Sequence, residues 1–332
     1  MQYEKIKIYV TKRVAQILEK DADIFDFVKK DGITPNKNAL LTTLIVNFFD
    51  DFRQKQKELN NAVVEVLRDN TALSDEKVAS LSAMIAGRVN KNLATDSVEK
   101  FDTLVSLKPT KESQPVIDYI EEYLLDNCSL SEYFRNMFVA YTAMPQDMRE
   151  RIIFKENYEI LSEAINKGKC VFLTTKAGND NKIELMPYKF ARSKEEIHIY
   201  LMYKLRNFCQ SIKLSRIASV MVIDKPVSFD EKELQTFKRM LAYGPQFYYG
   251  FSEQEVKVRL TPQGQQLFRK IYVHRPIPKA VEGDIYTFDC SYSQLIQYFV
   301  RFSDNVEILS PDGVRDSVLD FHKRFVDKNT IK

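Results

Sequence analysis

The chain has 332 residues, of which 44% are hydrophobic and 29% are charged, and this balance excludes a largely disordered protein. The formal net charge of +3 neither favours nor excludes a nucleic-acid ligand. The four cysteines form no C-x-x-C pair, and no apolar run approaches the length of about 18 residues that a membrane span requires. The first residues also lack the charged and then apolar pattern of a secretory leader. We therefore expect a cytoplasmic globular protein without a cofactor, a metal or a membrane partner.

The first predicted element is a short strand at residues 5–10, in which apolar and polar side chains alternate. The apolar side chains are Ile6, Ile8 and Val10. The side chains of the opposite face are Lys5, Lys7 and Tyr9. A strand of about six residues is not stable alone, so a partner strand must lie elsewhere.

Two helices are predicted to follow this strand. The first begins after a capping Thr11 and ends at Gly32, and the second has Thr34 as its cap and Pro35 in its first turn. This order of strand, helix, capped turn and helix resembles the ribbon-helix-helix family. The resemblance implies that two such units pair their strands into an antiparallel ribbon that lies in a DNA major groove. A helical hairpin whose strand has no binding role is the alternative.

The same order of elements recurs near residue 100. An extended segment at residues 103–108 precedes two amphipathic helices, the second of which has Ser129 or Ser131 as its cap. We interpret residues 1–60 and 100–152 as an internal duplication, with helical residues 74–93 between the repeats. Residues 5–10 and 103–108 are then predicted to pair as one intramolecular ribbon.

The two strands of this ribbon differ in the side chains that they contribute to its exposed face. The second strand would present Leu104, Ser106 and Lys108 opposite the basic first strand. Such a face carries few of the paired polar groups that read base edges. The ribbon is therefore either a secondary nucleic-acid site built on Lys5, Lys7 and Tyr9 or a structural element.

Positive charge is concentrated in the middle of the chain. Residues 166–216 contain eleven Lys or Arg and four acidic residues, a net charge of +7, although the whole chain carries only +3. The same stretch has several runs with the alternation and β-branched content of strands. It is predicted to form a basic β-module.

The order of strands and motifs in this module resembles the WYL domain, a small Sm-like β-barrel. The matching residues are Ile199, Tyr200 and Leu201 of the name-giving tripeptide, Pro187 of the second strand, and Leu214, Arg216 and Ile217 of the closing motif. Isoleucine replaces the tryptophan of the tripeptide. Gln210 stands where the family usually carries an arginine, and Arg206 lies one step earlier in the preceding turn. The resemblance implies an anionic ligand or a nucleic acid.

The remainder of the chain resembles the extension that commonly follows WYL domains, and such extensions support dimerisation. We therefore predict an α+β protein with a ribbon-helix-helix-like helical region at 1–152, a WYL domain at 153–228 and an α/β extension at 229–332. A homodimer held mainly by the C-terminal half is expected.

No arrangement of residues typical of an enzyme is visible. The three histidines, His198, His274 and His322, lie in separate segments, and no nucleophile, phosphate-loop or metalloprotease motif occurs. We expect no catalytic activity.

Two binding functions remain. Overall, the order of regions resembles the WYL accessory proteins of type VI-D CRISPR systems, which implies a protein that binds single-stranded RNA and enhances an RNA-guided, RNA-cleaving effector. The alternative is a transcriptional regulator that binds duplex DNA through the ribbon and senses a ligand through the WYL domain. For the RNA site, basic residues interleaved with aromatic ones are the pattern that favours single-stranded nucleic acid. The predicted RNA-binding residues are Lys176, Lys189, Tyr200, Tyr203, Lys204, Arg206, Gln210, Lys213 and Arg216.

Overall fold

The computed structural model describes residues 4–94, 100–125, 128–176, 182–193, 198–250 and 254–330, and for residues 87 and 90–94 it describes the backbone alone. The chain forms two compact units, Met1–Lys155 and Glu156–Lys332. Both helices and antiparallel sheets contribute, so the predicted α+β class is confirmed. The finer division at residue 228 stays a prediction.

The N-terminal unit is mainly helical. In chain order its elements are β1 (Ile6–Val10), α1 (Lys12–Ile24), α2 (Lys37–Asn70), α3 (Asp75–Ala94), β2 (Thr103–Leu107), α4 (Gln114–Tyr123), α5 (Leu130–Thr142) and α6 (Gln146–Ile153). The order strand, helix, helix therefore occurs twice, as β1, α1, α2 and as β2, α4, α5.

Strands β1 and β2 pair antiparallel within the chain, with Ile6 opposite Leu107 and Ile8 opposite Val105. The alternation in the sequence sets the two faces, because Ile8 and Leu107 are fully buried whereas Lys7 and its partner Ser106 are exposed. The predicted intramolecular pairing of residues 5–10 with 103–108 is confirmed.

The boundaries of the first two helices differ from the prediction. Helix α1 ends at Ile24 rather than at Gly32, because Asp26 adopts a left-handed backbone conformation with φ of 60°. Helix α2 begins after Asn36, whose side chain accepts from the Ala39 N–H. The hydroxyl of Thr34, the predicted cap, instead donates to Asp31 at 2.6 Å. Ser129 caps α5 as predicted.

A buried ion pair connects three helices of this unit. The Asp21 carboxylate in α1 is fully buried and accepts from Nε and Nη2 of Arg149 in α6, at 2.7 and 2.9 Å. The Tyr141 hydroxyl in α5 donates to the same carboxylate at 2.9 Å. Because the bidentate geometry satisfies both charges, the pair fixes how these helices pack.

The C-terminal part of the chain is richer in strands. Its elements are α7 (Lys155–Asn166), β3 (Lys169–Thr175), β4 (Ile183–Arg192), β5 (Ile199–Leu205), β6 (Phe208–Lys213), β7 (Ile217–Pro226), α8 (Glu231–Tyr243), β8 (Val256–Leu260), α9 (Pro262–Lys270), β9 (Ala280–Glu282), β10 (Ile285–Phe288), α10 (Tyr292–Phe299), β11 (Val306–Ser310) and α11 (Asp312–Asn329).

Strands β3 to β7 form one antiparallel sheet in the order β6-β5-β4-β3-β7. A closed barrel would need pairing between the edge strands β6 and β7, and none is present among the described residues. The sheet is therefore consistent with the predicted β-module, but its closure into an Sm-like barrel is not confirmed. Helix α8 packs on this sheet through a core that contains Met202, Cys209 and Phe237.

The predicted extension contains the second sheet, in the order β11-β8-β10-β9. Helices α10 and α11 cover it around a core that includes Phe288, Tyr298 and Phe299. Within the described ranges, no helix combines the length and the apolar character needed to cross a membrane.

Candidate nucleic-acid interface

Strand ends of the five-stranded sheet bring several exposed residues next to each other. The strand registers place Leu173 opposite Ile183, Leu205 opposite Phe208, and Thr175 opposite Ile217. Because neighbouring strands run antiparallel, the end of β3 lies beside the starts of β4 and β7, and the end of β5 lies beside the start of β6. The pairing of β3 with β4 and β7 therefore brings together residues that are far apart in the sequence.

Four exposed cations lie beside strand ends of this sheet in two pairs, Lys176 with Arg216 and Lys182 with Arg206, and we call the four the basic strand-end cluster. The backbone N–H of Lys176 donates to the carbonyl of Arg216 at 3.0 Å, so these two residues are direct neighbours. The side chains of Lys182, Arg206 and Arg216 form no ion pair with any described residue. Their charge is available to an external anion.

A cleft of about 470 Å³ adjoins the cluster. Among the described residues its lining includes Lys182, Lys204, Arg206 and Lys225, together with a single carboxylate, that of Glu184. Lys225 pairs with Glu184, and Lys204 pairs with Glu233 of α8 at 2.6 Å. Lys182 and Arg206 are the lining cations that keep an uncompensated charge.

Arg206 occupies a strained position. It lies in the two-residue turn between β5 and β6 with φ of 55°, a conformation that non-glycine residues adopt at a cost. Phe208, two residues later, is 49% exposed although it is a large apolar side chain. Arg206 in the turn and Phe208 at the start of β6 are thus an exposed cation and an exposed ring two residues apart, and these are the two components of a single-stranded nucleic-acid site.

The tripeptide tyrosine lies elsewhere. Tyr200 is only 6% exposed, and the Lys213 ammonium lies 6.0 Å from its ring centroid, opposite it on β6. Both residues lie at the opposite end of β5 and β6 from Arg206. The burial of Tyr200 fits packing in the protein interior rather than stacking on an RNA base. Lys189 is exposed on β4, opposite Met202 rather than at the strand ends.

Tyr203 and Gln210 form a separate pair. They face each other across β5 and β6, and the Tyr203 hydroxyl donates to Oε1 of Gln210 at 3.2 Å. Burial raises the pKa of Tyr203. Because successive strand residues point to opposite faces, this pair and Lys204 lie on different faces of the sheet. The nine predicted residues do not form one patch.

The residues of the predicted secondary site belong to the N-terminal unit. Lys5, Lys7 and Tyr9 are all exposed, as the alternation predicted. Leu104, which faces Tyr9 in the register, is exposed as well. This face is weakly basic and partly apolar.

The structure adds Lys182 and Phe208 to the predicted site, and Lys225 to the cleft beside it. Lys182 belongs to the basic stretch, and Phe208 directly follows the turn that holds Arg206. Their positions at strand ends are the signal that would have selected them. No group of three or more His, Cys, Asp or Glu side chains suited to a metal occurs among the residues that the structure describes.

Comparison with known proteins establishes a shared fold. No protein-family model matches the chain, and no curated protein matches it. The crystal structure of a CRISPR Cas-related protein superposes with a TM-score of 0.63 at 18% sequence identity, covering 99% of this chain and 94% of that chain. The proteasome accessory factor B/C of Arthrobacter aurescens gives a TM-score of only 0.25 at 13% identity, covering 69% of this chain and 37% of that chain, so it carries no argument. The fold of this protein, over nearly its whole length, is that of a CRISPR Cas-related protein.

Proposed function

We propose that this protein is a non-catalytic accessory protein that binds single-stranded RNA and enhances an RNA-guided, RNA-cleaving CRISPR effector. The RNA is held at the basic strand-end cluster. The likeness in fold to a CRISPR Cas-related protein over almost the whole chain supports the CRISPR context.

The observation that carries the RNA site is the combination of uncompensated cations with an exposed ring. Lys182, Arg206 and Arg216 engage phosphates, and Phe208 stacks on a base. Single strands expose their bases for stacking, whereas duplex bases are already stacked, so this combination favours a single strand.

The first experiment compares the affinity for single-stranded RNA with the affinity for duplex DNA of equal length at one stated salt concentration. We expect the RNA to bind more tightly. The triple variant Lys182→Ala, Arg206→Ala and Arg216→Ala is expected to lose most RNA affinity. The matched control is Lys5→Ala with Lys7→Ala, which removes two exposed cations from the ribbon.

The second experiment measures cleavage of labelled RNA by a type VI-D effector. The wild-type protein should increase the cleavage rate, and the triple variant should not. The protein alone should leave the RNA intact with or without divalent metal. Cleavage that follows the protein through purification and is lost on a single substitution would contradict a non-catalytic role.

The alternative function is regulation through duplex DNA, and the exposed Lys5 and Lys7 on the ribbon are the observation that favours it. A preference for the duplex, together with loss of binding in the ribbon variant and none in the triple variant, would establish this alternative.

A further inference from the structure

The N-terminal unit contains an open cavity of about 1000 Å³ between α2, α3 and α5. This volume is at the upper end of the range for small-molecule sites, roughly 300–1,000 Å³. Three aromatic rings line it, those of Phe52, Phe101 and Tyr133. The cavity is thus large enough for a ligand with a planar ring.

Several polar groups in this lining have no partner. The Tyr133 hydroxyl is buried and makes no hydrogen bond in the described part of the chain. The side-chain amides of Asn60 and Asn136 also line the cavity and bond to no described residue. Because this hydroxyl has almost no accessible surface, the asparagine amides are the uncharged polar groups that a ligand in the cavity can reach. Side-chain amides offer the paired donor and acceptor that nucleobase edges require.

The charge of the lining is positive. Arg53, Lys57 and Arg135 contribute cations, and Glu132 is the one carboxylate among the lining residues that the structure describes. Nε of Arg135 donates to the Tyr9 carbonyl at 2.7 Å, and its guanidinium lies 4.8 Å from the centroid of the Phe101 ring. These two contacts orient Arg135 and leave its terminal nitrogens without a described acceptor. A fixed guanidinium of this kind suits a phosphate.

We propose that this cavity is a binding site for a mononucleotide. The base lies against the aromatic rings that line the cavity and bonds to the asparagine amides, and the phosphate is held by Lys57 and Arg135. This site lies in the other unit from the RNA site and is independent of the proposed RNA-binding function.

The first test is calorimetric titration of the full chain with AMP, GMP, CMP and UMP, and with adenosine and inorganic phosphate as separate arms. At least one mononucleotide should bind at least tenfold more tightly than phosphate or adenosine. Ala83→Trp places a large ring in the cavity from an exposed position of α3, and it should weaken binding at least tenfold. The control is Met84→Trp at the next exposed position, which does not line the cavity and should bind as the wild type does.

Cys128 gives a second readout that needs no variant. It lines the cavity and is partly exposed, whereas the other three cysteines are buried. The nucleotide should therefore slow the modification of Cys128 by iodoacetamide, mapped by mass spectrometry. Modification at an unchanged rate at saturating nucleotide would overturn the proposal.

Three titration results would also overturn it: binding of no nucleotide, equal binding of phosphate alone, or unchanged binding by Ala83→Trp. The double variant Lys182→Ala with Arg206→Ala separates this proposal from the RNA site. Nucleotide binding should survive in that variant. Its loss would place the nucleotide at the strand-end cluster and refute the cavity site.

Discussion

The Lys204 ammonium lies 2.6 Å from a carboxylate oxygen of Glu233, and the two side chains are only 18% and 6% exposed. The other carboxylate oxygen accepts from the backbone N–H of Asp230, which closes the capping box at the start of α8. Lys204 therefore connects β5 to α8. Because its ammonium is already paired, Lys204 is primarily a structural residue rather than a ligand for phosphate.

The first prediction is that Lys204→Ala destabilises the protein more than it changes RNA recognition. Removing the ammonium leaves a buried carboxylate unpaired, so the free energy of unfolding should fall by about 3 kcal/mol. Urea denaturation measures this fall. Lys204→Met with Glu233→Gln keeps the cap and removes both charges, and it should be close to the wild type in stability. If Lys204→Ala is as stable as the wild type but has a shallower salt dependence of RNA binding, the ammonium contacts phosphate instead.

The second prediction concerns the strained turn. Arg206→Gly should raise the free energy of unfolding by about 1 kcal/mol, because glycine adopts a positive φ without the Cβ clash. The same change should reduce the steepness of log affinity against log salt by about 0.7, the value for one phosphate contact on a single strand. Urea denaturation and salt titrations measure the two effects. Arg206→Lys should keep the slope, and Lys213→Ala should leave it unchanged. If Arg206→Gly is stabilised but keeps the salt dependence of the wild type, Arg206 is not part of the RNA site.

The third prediction separates stacking from packing. Phe208→Ala should weaken RNA binding by about 1–3 kcal/mol with no change in the salt slope, because the exposed ring stacks on a base. Tyr200→Ala should instead lower the free energy of unfolding by about 3 kcal/mol, because it leaves a cavity. Binding isotherms and denaturation curves of both variants provide the comparison. If Tyr200→Ala instead weakens RNA binding and Phe208→Ala instead lowers the free energy of unfolding, Tyr200 is the residue that stacks on a base.

The fourth prediction is a pH dependence. The Tyr298 hydroxyl donates to the Ile271 carbonyl at 2.9 Å, and burial raises the pKa of Tyr298 from 10.0 to about 12. Between these pH values the unfolded chain loses a proton that the folded chain keeps, so the free energy of unfolding falls as the pH rises. Urea denaturation at pH 9, 10 and 11 should show a steeper fall for the wild type than for Tyr298→Phe. If the free energy of unfolding falls equally with pH in both proteins, Tyr298 ionises as readily in the folded state as in the unfolded state.

The fifth prediction concerns association. Helix α11 exposes four large apolar side chains: Leu319, Phe321, Phe325 and Val326. If the C-terminal half holds a homodimer, this face is the surface that the second copy covers. Phe321→Glu with Phe325→Glu should then halve the mass measured by light scattering. Val66→Glu, on an equally exposed apolar residue of α2, should leave the mass unchanged. A double variant that keeps the wild-type mass would exclude α11 from the interface.

Local sequence patterns predicted which helices and strands form better than they predicted where each one begins and ends. The period of two in residues 5–10 sufficed for the ribbon strand, because it depends only on which side chains are buried. The end of α1 depends on the left-handed Asp26, which no apolar spacing indicates. The last turns of α2 are mostly exposed, so the apolar stripe ends near Phe52 although the helix continues to Asn70.

For the candidate site, the sequence likewise predicted a local pattern but not the contacts between residues that are distant in the sequence. The concentration of charge in residues 166–216 is visible in the sequence. The register decides which of those charges meet, because antiparallel pairing brings Lys182 and Arg206 to one end and leaves Lys213 toward the other. The Glu233 that engages Lys204 comes from the following helix, and no spacing rule in the basic stretch indicates this pairing.

The ribbon also determines how folding depends on concentration. Both strands come from one chain, and on β1 the Lys7 and Tyr9 carbonyls accept from Ser131 and Arg135 of α5. A ribbon made from two chains links folding to association, so dilution unfolds it by mass action. Here a single chain supplies both strands and the groups that cover an edge of the ribbon. The ribbon can therefore remain folded at dilutions at which any dimer of the protein has separated.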